Sequence, residues 1–143
     1  MSQIKISFDF DQTLDKQSVQ NYAKSLVDLG YEVWIVTRRY NSLDKYTKDF
    51  QDTYHIVDLK KEHTYLFEVA TDIGIPLERI KFMNMEDKYL FFADEDFLWH
   101  LDDDRFELED INALTNTKGI SVYGNWKHKC NKLIDTFKFN NSL

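Results

Sequence analysis

Two carboxylates and a hydroxyl recur at every second position in Asp9-Phe10-Asp11-Gln12-Thr13. They follow Ile4, Ile6, Phe8 and Phe10, which are apolar at alternate positions, the period-2 signal of a strand. Side chains two apart on a strand point the same way. If the chain leaves the strand here, both carboxylates and the Thr13 hydroxyl can converge on one small volume. Carboxylates that close repel each other, so one must hold a proton or a cation must sit between them. The chemistry this allows is a Mg²⁺ site, or a nucleophile beside a general acid. The plain alternative at this spacing is a pair of acids in a solvated turn.

The elements that must position these groups read as follows. Val19, Tyr22, Ala23, Leu26 and Val27 form the apolar stripe of a helix that stops at Gly30. Tyr31 to Val36 is a continuous apolar strand, as expected when both faces are covered, and it ends in Thr37-Arg38-Arg39. Residues 41–54 are polar and aromatic and read as a short helix or an ordered loop. A helix over 58–73 carries Leu59, Leu66, Val69, Ala70 and Ile73 on one face and closes at Gly74 and Pro76. Then come a strand over 80–83, a short helix over 86–93 and a strand over 97–101 that ends in Asp102-Asp103-Asp104. A short helix over 107–115, a strand over 119–123 and a helix marked by Trp126, Cys130, Leu133, Ile134 and Phe137 complete the chain. This alternation predicts one domain over 1–143. Its fold is α/β, a three-layer α/β/α sandwich around a mostly parallel, Rossmann-like sheet.

Composition bounds the function. A chain of 143 residues buries roughly two-thirds of its unfolded surface. With 43% hydrophobic and 15% aromatic residues it is a packed globule rather than a disordered chain. A net charge of −7 weighs against a broad nucleic-acid-binding face. One cysteine, Cys130, excludes a disulfide framework or a cysteine metal cluster and reads as core. No signal-peptide pattern opens the sequence, and no apolar run reaches the ~18–20 residues that span a bilayer. The expected setting is the reducing cytoplasm, with no membrane partner. Gly30, Gly74, Gly119 and Gly124 form no dinucleotide-binding fingerprint.

In open α/β sheets, ligands bind beyond the carboxyl ends of the strands. Asp9 and Asp11, Thr37, the Lys88 region and Asp102 with Asp103 fall at such ends or just after them. If the strands adjoin, four carboxylates, a hydroxyl and an ammonium share one cluster. A hard divalent cation and Lys88 would then offset the negative charge.

These residues resemble the four motifs of the haloacid dehalogenase (HAD) superfamily of phosphohydrolases. Asp9-Phe10-Asp11-Gln12-Thr13 is similar to its first motif, Asp-x-Asp-x-Thr, and Thr37 after Val33-Trp34-Ile35-Val36 to its second. Lys88 is similar to the third, and Asp102-Asp103 after Phe97-Leu98-Trp99-His100-Leu101 to the fourth. The resemblance runs from Ile4 to about Tyr123 in the family's order. Gln12 departs from the glycine of many members, and three successive aspartates leave the metal-binding one open.

The resemblance implies a Mg²⁺-dependent phosphatase working through an aspartyl-phosphate. Asp9 would be the nucleophile, and Asp11 the general acid and then base. Thr37 and Lys88 would complete the catalytic set. Mg²⁺ would be held by Asp9, the Asp11 backbone carbonyl and Asp102 or Asp103. Thr13 and Arg38 are the further substrate-binding candidates. Spacing leaves only 41–54 unassigned between motifs, so the chain resembles the capless subgroup. An uncovered site suits a phosphorylated small molecule, a nucleotide, a nucleic-acid end or a phosphoprotein, and a small substrate could also be covered by a second subunit of a homo-oligomer. Asp102-Asp103 followed by Arg105 is also similar to nucleotidase and polynucleotide 3′-phosphatase branches.

Other features have ordinary readings. The basic stretch Lys118 to Lys138 reads first as a solvated helix face and second as a nucleic-acid-steering surface. His100 reads as a hydrogen-bonded core residue, and His55, His63 and His128 lack zinc spacing. Tyr40, Tyr46, Phe50 and Tyr54 would line a substrate mouth or form a satellite core. The rival functional classes are a phospho-acceptor receiver domain and a non-catalytic HAD-like binding or scaffold protein.

Overall fold

The structure is a computed structural model that describes residues 3–41 and 56–142, with side chains for residues 3–41 and 63–142. The segment expected as a short helix or loop, with Tyr46, Phe50, Tyr54 and His55, lies outside the described residues.

Among the described residues five strands form one sheet: β1 (Lys5–Phe8), β2 (Glu32–Thr37), β3 (Ile80–Phe82), β4 (Trp99–Asp102) and β5 (Lys118–Ser121). Their spatial order is β3-β2-β1-β4-β5, and every pairing is parallel. The helices are α1 (Gln17–Asp28), α2 (Ile56–Ile73), α3 (Tyr89–Phe92), α4 (Arg105–Leu114) and α5 (Trp126–Asn140). Among the described residues no helix is long and apolar enough to cross a membrane.

Alternation along the strands divides the core between two faces. Ile6 and Phe8 of β1 and Trp99 and Leu101 of β4 join the larger core with α1, α2 and α5, where Tyr22, Leu66, Val69 and Cys130 are buried. Phe92 of α3 and Ile111 of α4 belong to the smaller core, with Val36, Met83 and Phe97. The residues of β1 and β4 that turn toward this second face are polar: Ser7, His100 and Asp102, all fully buried. The two helical layers enclose the sheet, which is the expected three-layer α/β arrangement.

The chain runs outward through β1, β2 and β3, then returns to place β4 on the other side of β1. Strand order therefore reverses between β1 and β4, the kind of crevice where such sheets bind ligands.

Some boundaries differ from the sequence reading. Strand β1 ends at Phe8, because residues 10–14 form a single wide turn. In it the Leu14 N–H donates to the Asp9 carbonyl and the Asp15 N–H to the Phe10 carbonyl, both at 3.1 Å. Helix α3 is shorter than expected. The turn that contains Asn84 and Met85, with positive φ angles of 53° and 67°, is closed by the Glu86 N–H donating to the Met83 carbonyl at 3.0 Å, and the helix itself runs only from Tyr89 to Phe92. Helix α4 begins earlier than expected because Asp104 caps it, its Oδ1 accepting from the Phe106 and Glu107 N–H groups at 3.0 and 3.3 Å.

Candidate active site

The site is built at the carboxyl ends of β1 and β4. The Asp9 N–H donates to the Leu101 carbonyl at 2.8 Å, which ties the end of one strand to the other. This brings Asp9 and Asp102 together although they are far apart in the sequence. Lys88 reaches in between them from the residue that precedes α3. Its Nζ donates to Asp9 Oδ1 at 2.7 Å and to Asp102 Oδ2 at 2.6 Å, and the residue is only 2% exposed.

Asp103 completes the group. One ligand oxygen from each of Asp9, Asp102 and Asp103 lies within 4.8 Å of the others. The three adjacent aspartates are thereby distinguished: Asp102 and Asp103 face Asp9, whereas Asp104 caps α4. Asp102 Oδ1 also accepts from the Asp104 N–H at 3.1 Å, which turns the chain sharply after β4.

The charges do not balance. Three carboxylates meet one ammonium, so with all three ionised the group keeps an excess of two negative charges. Burial, supported by the Asp102 charge, holds the Asp9 carboxyl well above the usual range despite the pull of Lys88. Burial likewise raises Asp103. For Asp102, burial is outweighed by His100 and Lys88, and its carboxyl is held far below the usual range. Burial alone would lower Lys88, but Asp9 and Asp102 hold its ammonium above the ordinary lysine value. A hard divalent cation fits this donor set, because it would supply the missing positive charge to carboxylate oxygens.

Behind Asp102 lies a polar relay on the second face of the sheet. His100 Nε2 is 2.8 Å from Asp102 Oδ2, and His100 Nδ1 is 2.8 Å from Ser7 Oγ. Burial keeps the imidazole below its ordinary pKa and hence neutral, despite the pull of Asp102. The ionised Asp102 oxygen can only accept, so Nε2 carries the proton and Nδ1 accepts from the Ser7 hydroxyl.

The remaining predicted residues divide. Thr13 is buried with its hydroxyl 3.5 Å from Asp9 Oδ2, so the wide turn returns it to the nucleophile candidate. Thr37 is buried at the end of β2, beside β1, and its Oγ1 accepts from the Arg39 N–H at 3.3 Å. The Asp11 carboxylate does not join the other three. Its side chain is 52% exposed and receives a two-pronged contact from Arg39, Nε to Oδ2 at 3.0 Å and Nη2 to Oδ1 at 2.6 Å. The backbone explains this divergence: Asp11 is extended and Gln12 is left-handed (φ 62°), so the chain swings away from the strand direction. Gln12 thus occupies the one turn position where glycine would be least strained.

Arg38 is engaged by the protein. It donates to Glu107 Oε1 at 3.0 Å and to the Met85 carbonyl at 2.5 Å. Glu107 is buried, and its other oxygen accepts from the Lys88 N–H at 2.9 Å, so it fixes the backbone that delivers the lysine. Glu107, Arg39 and Ser7 were not singled out for these contacts by the sequence reading. One signal was present: Asp104 followed three residues later by Glu107 is a helix-start pattern.

Compared with known proteins, the chain matches no protein-family model, no curated protein and no solved structure.

Proposed function

We propose that this chain is a cation-dependent phosphomonoester hydrolase of HAD type, with Asp9 as the acceptor of the phosphoryl group. The carrying observation is the buried Lys88 ammonium bonded to both Asp9 and Asp102, with Asp103 beside them. A purely structural ion pair needs one carboxylate per lysine. Three carboxylates with one lysine at the strand-reversal crevice describe a site for a cation and an anionic substrate.

Asp9, Asp102 and Asp103 would hold Mg²⁺. Bound there, the ion would supply the positive charge that lets an anionic nucleophile approach an anionic phosphate. The chain's own residues do the rest. An Asp9 carboxylate oxygen attacks phosphorus, and the bond from phosphorus to the leaving oxygen breaks. Asp11, once parted from Arg39, takes a proton from solvent and gives it to that leaving oxygen. Lys88 keeps Asp9 oriented and offsets charge on both partners. Thr13 and Thr37 present hydroxyls for the phosphoryl oxygens. In the second half, water attacks phosphorus, Asp11 takes its proton, and the phosphorus–oxygen bond to Asp9 breaks.

The test is phosphate release with and without Mg²⁺, from an aryl phosphate, 3′- and 5′-nucleotides, phosphorylated oligonucleotides and a phosphopeptide. Release that requires the cation is expected, and the preferred compound defines the substrate class. Release that persists in chelator would refute the cation-dependent reading.

A further inference from the structure

Asp102 is a ligand candidate whose oxygens are unequally engaged. Its Oδ2 accepts from Lys88 Nζ at 2.6 Å and from His100 Nε2 at 2.8 Å. A carboxylate oxygen offers about two lone-pair directions, so these two donors use both. Its Oδ1 accepts from the Asp104 N–H at 3.1 Å, which leaves one direction open.

His100 cannot easily let go. It is fully buried between strands, directly beside Ser7 in the β1–β4 pairing, with the Phe92 ring 4.9 Å away. The Ser7 hydroxyl on Nδ1 fixes both the ring orientation and which nitrogen bears the proton. We propose that the Ser7–His100 pair is a positioning device that makes Asp102 a one-oxygen metal ligand through Oδ1, and so favours Mg²⁺ over Ca²⁺.

The discrimination follows from coordination chemistry. Mg²⁺ demands near-octahedral geometry and takes single carboxylate oxygens and waters. Ca²⁺ accepts more ligands and readily takes both oxygens of one carboxylate. Closing Oδ2 to the cation withholds the two-oxygen mode. The inference rests on the proposed metal site, and it assigns a role to two residues outside the catalytic set.

The experiment is direct binding of MgCl₂ and of CaCl₂, each without substrate, to the whole protein by calorimetry. Two variants separate the ends of the ring. His100→Gln places an amide N–H near the Nε2 position and keeps a donor for Asp102. His100→Asn places its amide near Nδ1, keeps Ser7 company and frees one of the two directions of Asp102 Oδ2, the other staying with Lys88. His100→Asn is expected to shift the Mg²⁺/Ca²⁺ affinity ratio toward Ca²⁺ by about 10-fold, with His100→Gln within about twofold of the native ratio. Ser7→Ala removes one buried hydroxyl and shifts the ratio in the same direction by less, which reads the same device should His100→Asn fail to fold. A native ratio in folded His100→Asn, or in Ser7→Ala if the other does not fold, overturns the inference while Mg²⁺ binding by the native protein upholds the metal site. Binding of neither cation by the native protein overturns both.

Discussion

Replacing Lys88 by methionine isolates the electrostatics of the site. The side chain is 2% exposed, and its Nζ lies 2.7 and 2.6 Å from two buried carboxylates. Methionine preserves most of the volume and removes the charge, leaving Asp9 and Asp102 facing each other without compensation. Breaking a buried ion pair from one side costs about 3–5 kcal/mol. Unfolding entropy near 2.1 cal/mol/K per residue makes this a fall of about 10–17 °C in the unfolding midpoint of a chain this long. The assay is thermal unfolding by circular dichroism in chelator, for both proteins across pH. Without Lys88 both carboxyls titrate higher when folded than unfolded. The folded variant then binds more protons than its unfolded chain, so its stability falls as pH rises above the carboxylate range. The gap from the native protein is therefore smallest in acid and widest near neutral pH. Mg²⁺ narrows it again. A loss under about 1 kcal/mol at neutral pH, far below a buried-pair penalty, would refute the buried cluster.

Other expectations follow from the same contacts. Asp9 is held above its ordinary pKa, so the folded chain without cation binds more protons than the unfolded chain, and stability falls as pH climbs through that raised value. Asp9→Asn reduces this slope to the part that raised Asp103 contributes, and melts higher than the native protein in chelator near neutral pH; an unchanged pH slope would contradict it. Gln12 carries a positive φ of 62°, so Gln12→Gly is expected to be neutral or to stabilise by up to about 1 kcal/mol in urea unfolding, whereas Gln12→Val destabilises. Arg38→Ala strips a partner from buried Glu107, and because the arginine is partly exposed the cost is about 1–2 kcal/mol. Its KM for the preferred phosphate ester should stay near native; a large rise would show that Arg38 grips the substrate instead.

The sequence carried the frame of the fold because the strands are continuous or alternating apolar runs and the helices carry clear stripes. Val19, Tyr22, Ala23 and Leu26 are buried on α1 as their spacing requires, and Leu66, Val69, Ala70 and Ile73 on α2. The meeting of Asp9, Lys88 and Asp102 was legible too, since strand ends in a parallel sheet share one edge. His100 as a hydrogen-bonded core residue was readable from its place within an apolar strand. What was not legible depends on turns and side-chain reach. No periodicity reveals that Gln12 is left-handed, and that one torsion sends the Asp11 carboxylate out to Arg39, 28 positions along the chain. Nor could spacing pair Ser7 with His100 across 93 positions, because that needs the β1–β4 register. The choice between Asp102 and Asp103 was not legible, because it depends on side-chain reach. The structure brings an oxygen of each close to Asp9, whereas Asp104 turns to cap α4.

The central claim is that Asp9 receives the phosphoryl group. The most direct measurement is a single turnover with radiolabelled phosphate ester and Mg²⁺, quenched in acid, with the label located by peptide mapping in the native protein and in Asp9→Asn. The account predicts transient label on the peptide that contains Asp9, and none in the variant. Phosphate release with no labelled protein at any time point, or undiminished turnover by Asp9→Asn, would contradict it.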